Sequence, residues 1–73
     1  MSQSSFDAEK FGGEIRKFLK RVGITSQIEI ENAVRDALAR GALDPGAPLQ
    51  ARMVLEVPGL DLRHEVTQDL TLS

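Results

Sequence analysis

The sequence predicts a small α+β protein, two amphipathic helices followed by a β-hairpin. Three observations carry this prediction. Apolar residues recur at helical spacing from Phe11 to Leu38. From Leu49 the pattern switches to strict alternation, the signature of a half-buried strand. Glycine and proline fall between these stretches, where helices stop and hairpins turn. At 73 residues the chain makes a single domain, residues 1–73. A domain this short withdraws only about 60% of its unfolded surface from water. Disulfides, a metal or oligomerisation usually reinforce such domains.

Residues 1–5 are polar and expected to be loose, and residues 6–41 to form a helical pair. Asp7 is placed to cap the first helix, with Phe6 just before it. Phe11, Ile15, Phe18, Leu19 and Val22 then fall on one stripe. Gly12 and Gly13 weaken the first turns, each by roughly 1 kcal/mol relative to alanine. Gly23 is expected to end this helix, with Gly23, Ile24 and Thr25 as the link. Ser26 and Glu29 make a capping box for the second helix, with Thr25 as the competing cap. Ile30, Ala33, Val34, Ala37 and Leu38 form the second stripe. Gly41 stops it, with Arg40 well placed against the helix dipole.

Residues 42–48, with two prolines and a glycine, are read as a loop, and residues 49–72 as the hairpin region. Leu49, Ala51, Met53, Leu55 and Val57 alternate with more polar neighbours, and Leu62, His64 and Val66 repeat the pattern after Pro58-Gly59. A two-residue turn would set Glu56 opposite Asp61, a like-charge pair, and its twist would suit a hairpin poorly. A four-residue loop, residues 58–61, sets Glu56 opposite Arg63 and is the favoured register. Leu70 and Leu72 keep the parity of the apolar face. Either residues 67–69 turn into a short third strand, or the second strand runs on to Leu72 and outruns its partner. A two-stranded sheet is marginal alone and exposes both edges, so completion by a second copy is expected. Residues 42–48 would be the hinge if elements were exchanged between copies.

Composition narrows the function. There is no cysteine, which removes disulfides, thiolate metal sites and cysteine nucleophiles together. One histidine cannot supply a histidine-rich metal site. Nine basic against eleven acidic residues, net charge -2, argue against a general nucleic-acid binder. With no tryptophan or tyrosine, no aromatic platform is expected for single-stranded nucleic acid. No apolar run approaches the ~20 residues that span a membrane. The first residues lack the basic start and apolar centre of a secretory signal, so the cytoplasm is the expected compartment.

Four features invite a chemical reading, and each has a plainer one. Arg16, Lys17, Lys20 and Arg21 could contact phosphate or a partner, but cations near a helix C-terminus on a solvated face explain them better, given the acidic total. Two helices with a short link suggest a DNA reader, with Gln27 facing an adenine edge. Glu29 and Glu31 would then lie near phosphates, and no third helix supports the unit. His64 lies on the apolar face of the second strand without a serine motif or orienting partner, which favours a margin or interface position over a catalytic one. A proton-sensitive interface is its secondary reading, and self-association independent of pH between about 5 and 8 would dismiss it. Asp61, Glu65 and Asp69 are spread along a strand and do not form a calcium loop. Gly12-Gly13 sits inside a helical pattern and not after a strand, so it is no phosphate loop.

The segments I-R-K-F-L-K, V-G-x-T-S-Q and V-P-G-L, spread between Ile15 and Val66, resemble a family of small bacterial proteins, mostly proteobacterial, classed as a domain of unknown function. The family's members are about 70 residues long, the size of a single-core domain. Ile28, where a polar residue is expected, and the longer polar N-terminus depart from its pattern. The resemblance implies a helix–helix–hairpin homodimer with no assigned activity and no functional residues to carry over.

The expected protein is therefore a non-enzymatic, homodimeric interaction module without cofactor or metal. Its dimer interface would draw on Phe11 and Phe18 of the first helix, on Met53, Leu55, Leu62, His64 and Val66 of the hairpin, and on Leu70 and Leu72 beyond it. The alternative is a nucleic-acid-binding regulator using Arg16, Lys17, Lys20 and Arg21.

Overall fold

The computed structural model describes residues 6–72. It is α+β: one long helix, α1 (Ala8–Ala39), then strand β1 (Leu49–Val57), a 3₁₀ turn (Pro58–Leu60) and strand β2 (Leu62–Leu70). The chain divides into two compact units between Ala37 and Leu38.

The helix starts as the sequence prescribes. Asp7 Oδ1 accepts hydrogen bonds from the backbone N–H groups of Glu9 and Lys10, both at 3.1 Å. These are donors that a helix start otherwise leaves without partners. The Phe6 and Phe11 rings meet edge to face with centroids 5.9 Å apart. Phe6 precedes the cap and Phe11 lies one turn inside, the arrangement of a hydrophobic staple. The glycine pair at Gly12 and Gly13 is helical throughout.

The expected pair of helices is corrected to one. Residues 23–25 do not interrupt α1. Gly23 has no positive φ, whereas Gly41 does (φ 67°). The termination signal operates only at Gly41, whose N–H donates to the Leu38 carbonyl at 3.1 Å. Ser26 and Glu29 therefore lie in the helix interior and are not a cap. The Thr25 hydroxyl turns back to donate to the Arg21 carbonyl at 2.8 Å, as helical threonines do. The physical reason is one of scale. A mid-helix glycine costs about 1 kcal/mol. A break there would leave up to four N–H and four C=O groups in need of new partners.

In the loop before β1, Asp44 organises the backbone. Its Oδ1 accepts from the Gly46 N–H at 2.9 Å, and its carbonyl accepts from the Ala47 N–H at 3.1 Å. This is the local turn that aspartate before proline favours.

The hairpin follows the longer-loop register. Glu56 pairs with Arg63, Leu55 with His64, Met53 with Val66 and Leu49 with Leu70. Residues 58–60 make the 3₁₀ turn, and Asp61 takes the left-handed conformation (φ 54°) with its N–H donating to the Pro58 carbonyl at 3.1 Å. The expected ambiguity after Val66 resolves into continuation. β2 runs through residues 67–69, ends at Leu70 opposite Leu49, and is as long as its partner. Among the described residues the sheet has two strands, and neither a third strand nor an overhang is present. Thr67 and Gln68 pair with Arg52 and Ala51, so their backbone groups are better served in the ladder than in a turn.

Candidate interaction surface

With Gly23 helical, the two expected stripes become one. Phe11, Ile15, Phe18 and Val22 continue into Ser26, Ile30, Ala33 and Ala37 by steps of three or four residues. Among the described residues no side chain is buried. The larger stripe residues are well exposed: Phe11 at 50%, Phe18 at 51% and Leu19 at 51%. The smaller Val22, Ser26 and Ala37 are half-buried along the same face.

Arg16, Lys17, Lys20 and Arg21 are brought together on two successive turns, all exposed. Lys17 Nζ lies 3.4 Å from Glu14 Oε2, in a pair that is 80% and 61% exposed. An exposed pair of this kind contributes little. The Arg16 guanidinium lies back along the helix, within 3.5 Å of where a Cβ on Gly12 would stand. Gln27 donates to Glu31 at 3.2 Å, so it is engaged within its own helix. The linker that a recognition helix would follow is absent, which removes the structural basis of the helix–loop–helix reading.

One feature escaped the sequence pattern. Ile24 and Ile28 are 52% and 51% exposed, one turn apart on the side of α1 away from the stripe. Reading Ile24 as part of a link concealed this spacing. Treating residues 23–25 as helical would have revealed it.

On the hairpin, Met53, Leu55, Leu62, His64, Val66 and Leu70 share one face through the observed register. Leu72 lies beyond β2, half-buried. His64 stands opposite Leu55. The other face carries charge. Arg52 Nε lies 3.3 Å from Glu65 Oε2, and Arg63 Nη1 lies 3.8 Å from Glu65 Oε1. Glu65 is thus taken up by two arginines, and among the described residues no group of three His, Cys, Asp or Glu is placed to hold a metal. A hollow of about 290 Å³ is lined by Pro45, Gly46, Ala47, Pro48, Thr71 and Leu72. Its walls carry no titratable side chain and no nucleophile beyond the Thr71 hydroxyl.

The fold defines a small helix-plus-hairpin protein whose most developed surface is an apolar helix face. The chain belongs to a family of unknown function, Family of unknown function (DUF6494), whose model matches residues 6–73. That membership agrees with the likeness carried by the segments quoted above, and it gives no residue a role. No curated protein matches the chain, and no solved structure does. No helix is long and apolar enough to cross a membrane among the described residues.

Proposed function

We propose that this protein is a cytoplasmic, non-enzymatic interaction module that works as a homodimer. The supporting observation is the exposed apolar stripe of α1, with Phe11, Phe18 and Leu19 each keeping about half of their surface open. A contiguous apolar surface on a small soluble domain marks an association site. The hairpin's apolar face, with Met53 at 43% and Val66 at 50% exposure, adds a second surface of the same kind. Light scattering on the full chain at micromolar concentration tests the reading. The expected mass is twice that of one chain, and a folded monomer would overturn it.

The second reading is a nucleic-acid-binding regulator, favoured by the grouping of Arg16, Lys17, Lys20 and Arg21 on adjacent turns. It predicts binding to duplex DNA that weakens steeply with salt and is lost on charge reversal at Lys17 and Lys20. Absence of such binding near physiological salt would set it aside.

A further inference from the structure

We infer that the α1 stripe is self-complementary in the antiparallel sense, so that its occupant is the α1 stripe of a second copy running in the opposite direction. This rests on the homodimer reading and specifies its geometry. Three independent features of the helix point the same way.

The first is spacing. The eight positions Phe11, Ile15, Phe18, Val22, Ser26, Ile30, Ala33 and Ala37 follow one another by four, three, four, four, four, three and four residues, a series that reads identically from either end, with Leu19 and Val34 beside it. It is centred on Ile24. Reversing one helix against another therefore lays these eight positions on one another.

The second is size. Antiparallel pairing about Ile24 sets Phe11 against Ala37, Ile15 against Ala33, Phe18 against Ile30 and Val22 against Ser26. Each bulky residue of the first half meets a smaller one of the second half, and Val22 and Ser26 allow close approach at the centre. Parallel pairing would stack phenylalanine on phenylalanine at one end and alanine on alanine at the other. That would crowd one end and leave voids at the other, which close-packed interfaces exclude.

The third is charge. Between Ala8 and Val22 the helix carries Lys10, Arg16, Lys17, Lys20 and Arg21 against Glu9 and Glu14, net +3. Between Gly23 and Ala39 it carries Arg35 against Glu29, Glu31 and Asp36, net −2. Antiparallel pairing brings each basic half beside an acidic half, whereas parallel pairing sets like halves together. The helix dipoles are opposed in the same arrangement.

The absence of native cysteine allows a direct test on the full chain. Lys10→Cys, exposed and off the stripe, carries a spin label. In the antiparallel pair Lys10 stands opposite Leu38 of the second copy, so the two labels are expected about 40–45 Å apart from the helical rise per residue. A distance below about 20 Å, the value for side-by-side parallel helices, or no defined distance in a protein that light scattering shows to be dimeric, overturns the antiparallel assignment and leaves the dimer standing. A monomer overturns both. A size exchange provides the second readout. Phe11→Ala and Ala37→Phe should each weaken self-association about tenfold, and mixing the two variants should restore it, because Phe11 of one copy faces Ala37 of the other. Failure of the mixture to recover would overturn the register.

Discussion

Single side chains and backbone angles set the limits of each element. Asp7 holds two backbone N–H groups of the first turn, so Asp7→Ala is expected to lower helix stability by about 1 kcal/mol. Loss of helical circular dichroism on mild heating measures it. Gly23 has nothing within 4 Å of the place a Cβ would occupy, and its backbone is ordinary helix. Gly23→Ala should therefore raise helix stability by about 1 kcal/mol, read as a higher denaturation midpoint. A fall in stability would mean that a partner needs that space. Asp61 sits at φ 54°, a region that aspartate and glycine tolerate and β-branched residues do not. Asp61→Val should destabilise the hairpin by about 1–2 kcal/mol and Asp61→Gly should leave it close to unchanged, as followed by amide exchange across β1 and β2.

At the scale of elements, α1 and the hairpin differ in how their local signals combine. α1 is long enough to absorb three glycines because one apolar stripe runs unbroken from Phe11 to Ala37, between the Asp7 cap and the Gly41 stop. The hairpin depends on register. Its loop, with three residues in a 3₁₀ turn and Asp61 left-handed, sets Glu56 beside Arg63 and keeps both apolar rows on one face. The Arg52–Glu65 and Arg63–Glu65 pairs decorate the opposite face at 3.3 and 3.8 Å. Their arginines are 66% and 60% exposed, so Glu65→Gln should change stability by about 0.5 kcal/mol or less, with the small effect further reduced in high salt. A larger loss in thermal denaturation would show that these pairs align the strands and do more than decorate them. The register was legible in the sequence because like charges and turn twist disfavour the alternative. The length of β2 was not, because Thr67, Gln68 and Asp69 suit both a turn and an exposed strand row.

For the whole molecule, no described side chain is buried, and the exposed stripe of α1 is a long apolar feature that the sequence builds. Association that covers it would couple stability to concentration. The melting temperature should therefore rise with protein concentration over the micromolar range, as it does when folding and assembly are linked. A melting temperature independent of concentration from about one to about one hundred micromolar would separate folding from assembly. Phe18→Glu, on the stripe, should abolish that dependence, whereas Lys17→Glu, off the stripe, should preserve it. The candidate surface was half legible in the sequence. Both stripes were evident from their period, but as separate helices they suggested two faces. Only their fusion exposes the symmetry about Ile24 and places Ile24 and Ile28 on the reverse side.

The sequence by itself determined the cap at Asp7, the stop at Gly41, the switch of period at Leu49 and the pairing of Glu56 with Arg63. Each is a local choice in which one alternative carries a specific penalty: an unpaired donor, a strained φ or a like-charge pair. The fold decided whether residues 23–25 break the helix and whether residues 67–69 turn. At those places the local preferences differ by about 1 kcal/mol or less. Continuous backbone hydrogen bonding through α1 and along the β1–β2 ladder outweighs them, and that cooperative gain belongs to the whole element and to no residue within it.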